Sequence, residues 1–80
     1  MRLLDEVIDL GFAGVALLCM EGTPHEGMKL RDARGSIHTV ASVSCEDGVY
    51  TLHLPEGDAN YFGRLFRDVR VDATWFEEVE

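Results

Sequence analysis

Two runs of alternating residues meet at Glu46-Asp47-Gly48, and this junction leaves the middle of the chain little choice of structure. Asp-Gly tolerates positive φ at low cost, so the flanking runs read as the arms of a β-hairpin. On the incoming arm Ile37, Thr39, Ala41, Val43 and Cys45 share one face; on the outgoing arm Tyr50, Leu52 and Leu54 do. A loop over Glu46 to Val49 then pairs Cys45 with Tyr50, Val43 with Leu52 and Ala41 with Leu54. A slip of one residue would turn every one of these apolar side chains to the wrong face.

The same pattern extends in both directions. Met28 to Arg31 reads as a short strand, Asp32-Ala33-Arg34-Gly35 as a turn, and a new strand begins at Ser36, which gives a β-meander over residues 28 to 54. Val15 to Met20 is apolar on both faces and short, as a central strand covered on both sides would be, and Gly11 and Gly14 before it predict a bend or bulge. Residues 1 to 10 fit two patterns: Leu3, Leu4, Val7, Ile8 and Leu10 make a helical stripe, while Ile8, Leu10 and Phe12 alternate as in a strand. Tyr61 to Phe66 fits a helical turn capped by Asp58 or a strand beginning near Gly63, and the strand is the expectation taken forward. Val69, Val71, Ala73 and Trp75 alternate with polar residues as a closing, half-buried strand. On that parity Trp75 faces the core and Phe76 faces outward as an interface residue.

Eighty residues with 46% hydrophobic content make a single domain, residues 1–80, with one modest core. Fifteen acidic side chains against seven basic ones leave a formal charge of −8, which repels phosphate backbones and anionic membranes. Met1-Arg2-Leu3-Leu4-Asp5-Glu6 lacks the positive start of a secretory signal, and the apolar run Phe12 to Met20 is too short to span a membrane. Cys19 and Cys45 read as buried free thiols, in keeping with a reducing, cytoplasmic location.

Chemistry-bearing residues are few. In the hairpin register His53 lies opposite Ser42, and His38 stands roughly 13 to 14 Å away at about 3.3 Å per residue, so no metal or cofactor site is expected. Buried cysteines and the lack of serine-nucleophile signatures argue against a hydrolase. Glu77, Glu78 and Glu80 read as a solvated tail, and Asp5, Glu6 and Asp9 likewise as solvated carboxylates. The single basic cluster is Arg64, Arg67 and Arg70, with Tyr61 and Phe62 nearby as an aromatic platform. Pairing of the same arginines with Asp58, Asp68 and Asp72 on the wet face of the last strands is the plainer reading of this cluster.

The order of these features resembles domain 2 of translational GTPases of the elongation factor Tu type, over nearly the whole chain. The residues that carry the resemblance are Asp5-Glu6-Val7-Ile8 before a glycine bend, Gly14-Val15-Ala16 into Glu21-Gly22, and Glu26-Gly27-Met28-Lys29-Leu30. They continue with Thr39-Val40-Ala41-Ser42-Val43, Glu56-Gly57-Asp58, Gly63-Arg64-Leu65-Phe66-Arg67-Asp68-Val69 and Asp72. Gly27-Met28 departs from the family's usual Gly-Asp, and no G-x-x-x-x-G-K-[ST] sequence occurs, so nucleotide hydrolysis is not expected. The resemblance implies an all-β fold, a small closed or nearly closed antiparallel β-barrel. The expected function is a non-enzymatic binding or accessory module for a protein partner. Its alternative is a module that contacts RNA or the ribosome through Arg64, Arg67 and Arg70, with Tyr61 and Phe76 as further binding residues.

Overall fold

The computed structural model describes residues 1–69 and 73–79 of the chain. In order the elements are β1 (Arg2–Asp9), a 3-10 turn (Gly11–Ala13), β2 (Val15–Glu21), β3 (Lys29–Arg31), β4 (Ile37–Thr39), β5 (Ser42–Glu46), β6 (Val49–Leu54), α1 (Ala59–Val69) and β7 (Glu77–Val79). The strands form two antiparallel sheets, one ordered β1-β2-β6-β5 and the other β4-β3-β7.

The hairpin at Asp47-Gly48 has the expected register, with Val43 opposite Leu52 and Cys45 opposite Tyr50. Both turn residues have positive φ, 52° at Asp47 and 81° at Gly48, which is the twist a two-residue hairpin loop needs. Leu52 is fully buried and Val43 half-buried, but Cys45 is exposed, contrary to the sequence expectation. Its strand is the outer edge of the sheet, and at that end it runs past the core toward the turn.

The long arm expected from Ser36 to Cys45 is divided between the two sheets. Val40 is the pivot: its N–H donates to Met28 O at 2.9 Å and its carbonyl accepts from Gly27 N at 2.8 Å, while Ala41 N already bonds His53 O in the other sheet at 2.9 Å. Full burial of Val40 anchors this hand-over.

β2 is central and buried on both faces, as its apolar run predicts. Its partner β1 resolves the ambiguity of residues 1 to 10 in favour of a strand, although an irregular one: Leu3 pairs with Cys19 and Val7 with Leu17, so Leu4 to Glu6 bulge against a single facing residue.

Residues 59–69 form a helix, not the expected strand near Gly63. Asp58 caps it, accepting from Asn60 N through Oδ1 at 2.9 Å and from Phe62 N through its carbonyl at 3.1 Å. Phe62, Leu65 and Phe66 form its buried stripe. With a helix where a closing strand was expected, the fold is strand-rich but is not a closed barrel. The core of Leu3, Val15, Leu17, Leu30, Val40, Leu52, Leu54, Phe62 and Leu65 is covered by α1.

The C-terminal strand expected over residues 69 to 75 is also corrected. Val69 ends α1, Val71 lies outside the described residues, and Ala73 and Thr74 belong to a short turn before a lone bridge between Trp75 and Arg2. That turn reverses the parity: Trp75 is 52% exposed and Phe76 only 2%. Phe76 N donates to Met1 O at 2.8 Å and its carbonyl accepts from Met1 N at 2.9 Å, which holds the ring in the core beside Phe62 and Phe66. Glu77 and Glu78 are solvent-exposed, as expected, but are ordered in β7, where they bond Arg31 at 2.7 Å and His25 at 2.9 Å; Glu80 lies outside the described residues.

Candidate interaction site

Of the sequence-predicted binding residues, α1 carries Tyr61, Arg64 and Arg67 at three-residue spacing, and Phe76 is buried just before β7. Arg64 and Arg67 are exposed on α1, and Arg70 lies outside the described residues. Arg67 Nε donates to Asp68 Oδ1 at 3.3 Å, and Arg34 reaches the same carboxylate at 3.4 Å, so the pairing expected for an arginine there is partly realised. Phe62 is fully buried, Phe76 nearly so, and the half-buried Tyr61 donates its hydroxyl to Asp32.

The three histidines separate as well. His25 bonds Glu26 O through Nδ1 at 3.2 Å and Glu78 through Nε2 at 2.9 Å. Both partners are acceptors, and the Glu78 carboxylate is the main reason this imidazole holds its proton above the usual histidine range. His53 donates to Ala13 O at 2.7 Å, whereas His38 donates to Asp32 Oδ2 at 2.7 Å. Among the described residues no group of three or more His, Cys, Asp and Glu is placed to hold a metal ion. Neither cysteine hydrogen-bonds a histidine, and burial pushes the Cys19 thiol up from its ordinary value.

Asp32 organises the largest polar cluster. Oδ1 accepts from Arg34 N at 2.8 Å and Ser36 N at 3.1 Å, closing the β3–β4 turn. Oδ2 accepts from His38 and from Tyr61 Oη at 2.6 Å, tying that turn to α1. Burial works to raise this carboxyl's pKa, but the four donors outweigh it and hold it below the ordinary carboxylate value. Tyr61 is pushed up, chiefly by burial and then by donating to the Asp32 carboxylate. All the usual acceptor directions of Asp32 are occupied, so the cluster fixes two rings and has no lone pair left for acid–base work.

The most exposed large apolar side chain among the described residues stands at the tip of the β1–β2 hairpin. Phe12, in its 3-10 turn, is 112% exposed relative to a reference residue, and Ile8 and Leu10 before it are also exposed. The turn is held firmly. Leu10 N donates to Gly14 O at 2.9 Å, Gly11 N donates to Asp9 Oδ1 at 2.8 Å, and His53 grips Ala13 O from β6. Gly14 has φ 91°, and a Cβ there would lie 2.2 Å from Leu54 O, so the tip's base is pressed against the end of β6. The sequence carried a signal for this site, an aromatic residue inside Gly11-Phe12-Ala13-Gly14, where a polar turn residue is usual. Asp9, between Ile8 and Leu10 in sequence, is exposed, as are Asp5 and Glu6 further back along β1.

No protein-family model, curated protein or solved structure matches this chain. No helix among the described residues is long and apolar enough to cross a membrane.

Proposed function

We propose that the chain is a non-catalytic binding module that docks a protein partner through the β1–β2 hairpin tip. The observation that supports this most is Phe12, wholly exposed at the apex of a turn that is fixed from below. Burying such a ring is worth about 1.5 to 3 kcal/mol, a gain this fold leaves unused and a partner can take. Ile8 and Leu10 extend the apolar edge, and Asp5, Glu6 and Asp9 give its flank negative charge. The partner that fits is a protein with an apolar cleft rimmed by Lys and Arg.

The test is a photo-crosslinking phenylalanine analogue at position 12 in the native cell, with the same analogue at Val49, exposed by the other hairpin's turn, as control. The expected result is a discrete protein adduct at 12 and not at 49, with affinity for the purified partner weakened about tenfold or more by Phe12→Ser. Charge complementarity also predicts slower association at high salt. The absence of an adduct at position 12 overturns the reading. So does an RNA adduct that is lost on charge reversal at Arg64, Arg67 and Arg70, which would favour an RNA- or ribosome-contacting module instead.

A further inference from the structure

The geometry points to a second binding site, separate from the hairpin tip: a shallow, solvent-open cavity of about 270 Å³ lined by Ser36, His38, Glu56, Gly57, Asp58 and Tyr61 that takes a small organic cation, an alkylammonium or guanidinium group. Two of its walls are rings held in fixed positions. His38 and Tyr61 both donate to Asp32 Oδ2, at 2.7 and 2.6 Å, and their centroids are 5.6 Å apart with planes inclined by 50°. His38 is backed by Phe62 at 4.7 Å, so its ring has little freedom to swing away. The Tyr61 ring, held in advance, attracts a cation without the cost of ordering the side chain on binding.

The charge around the cavity has one dominant sign. Glu56 and Asp58 both line it, and the buried Asp32 carboxylate lies behind the two rings. Glu56 makes no hydrogen bond or ion pair among the described residues. Asp58 uses one carboxylate oxygen to cap α1, leaving the other available, and this cap already answers the positive end of the helix. Among the described residues no Lys or Arg lines the cavity; Arg34, whose charge acts on Tyr61, has its guanidinium engaged with Asp68.

Size narrows the class. Sites for drug-sized ligands run from about 300 to 1,000 Å³, so this one suits a group the size of a lysine or arginine side chain. Gly57 lets the floor pack directly on the core: a Cβ there would meet Val15 Cγ2 at 2.5 Å.

The test is an amide-resolved NMR titration of the full chain with butylammonium, with a blocked Gly-Lys-Gly peptide, and with butyrate as the anionic control. Saturable shifts centred on His38, Gly57 and Tyr61 are expected for both cations and not for butyrate. Glu56→Gln and Asp58→Asn should each weaken binding about fivefold or more; Asn caps a helix about as well as Asp, so α1 stays intact. Equal affinity for the two cations assigns the cavity to a free amine, and about tenfold tighter binding of the peptide assigns it to a partner's side chain. Non-saturating shifts, shifts spread evenly over the acidic residues of β1 and β7, or binding indifferent to both substitutions would overturn the proposal.

Discussion

Gly63 is in the second turn of α1, where no positive φ is required and an added Cβ would meet nothing within 4 Å. Gly63→Ala therefore changes neither packing nor sterics. What changes is backbone freedom: a helix-interior alanine is favoured over glycine by about 0.5 to 1 kcal/mol, mostly because the unfolded chain has fewer conformations to lose. In a domain of this size about 1 kcal/mol moves the melting temperature by about 4 to 8 °C. Alanine alone does not separate helix from strand, since both prefer it to glycine, so Gly63→Val is the companion variant. In a helix valine should fall behind alanine by about 0.5 kcal/mol, because its branched Cβ loses rotamer freedom against the preceding turn. In a strand the order would reverse. Urea denaturation followed by circular dichroism gives both numbers, and valine proving more stable than alanine would refute the helix at residues 59–69.

Leu52→Ala should cost about 2 to 5 kcal/mol in the same assay, because the side chain is fully buried on β6 between β2 and β5; a loss under about 0.5 kcal/mol would refute that burial. Asp32 has a folded-state pKa below its ordinary value. Its contribution is therefore fully present above the unfolded carboxylate range near about 4 and is lost as pH falls through the lower folded value. Asp32→Asn should lower stability at neutral pH and flatten that acid limb; an unchanged limb would contradict the cluster. His25 should titrate above about 6.5 in an NMR pH series and move back toward that value in Glu78→Gln.

The local parts of this fold were legible and the long-range parts were not. Asp47-Gly48 determines its own register, because turn type and side-chain parity act within a few residues. The choice at residues 1 to 10 depends on β2 lying alongside, which short-range periodicity does not carry. The helix was within reach: Phe62, Leu65, Phe66 and Val69 keep i, i+3, i+4, i+7 spacing behind the Asp58 cap, but the same short run also fits a strand from Gly63, the reading taken forward. Carrying strand parity through residues 69 to 75 then exchanged the roles of Trp75 and Phe76. Of the interaction site, the turn glycines were visible and the exposure of Phe12 was not. Exposure depends on where the hairpin ends relative to the core. Asp32, His38 and Tyr61 come together only once β4 and α1 have packed.

Whether Phe12 serves a partner or the fold is decided by thermal unfolding of the wild-type chain and Phe12→Ser, each alone and each with the protein captured by the position-12 crosslinker. A fully exposed side chain contributes little to folding, so the two chains alone should melt together, within about 0.5 kcal/mol in stability. A bound partner raises the melting temperature by mass action, about 2.7 kcal/mol of stabilisation at a hundredfold excess over Kd. That rise should appear for the wild-type chain and be largely lost for Phe12→Ser. An equal rise in both chains, or a substituted chain already unstable on its own, would contradict the assignment of the hairpin tip as the docking surface.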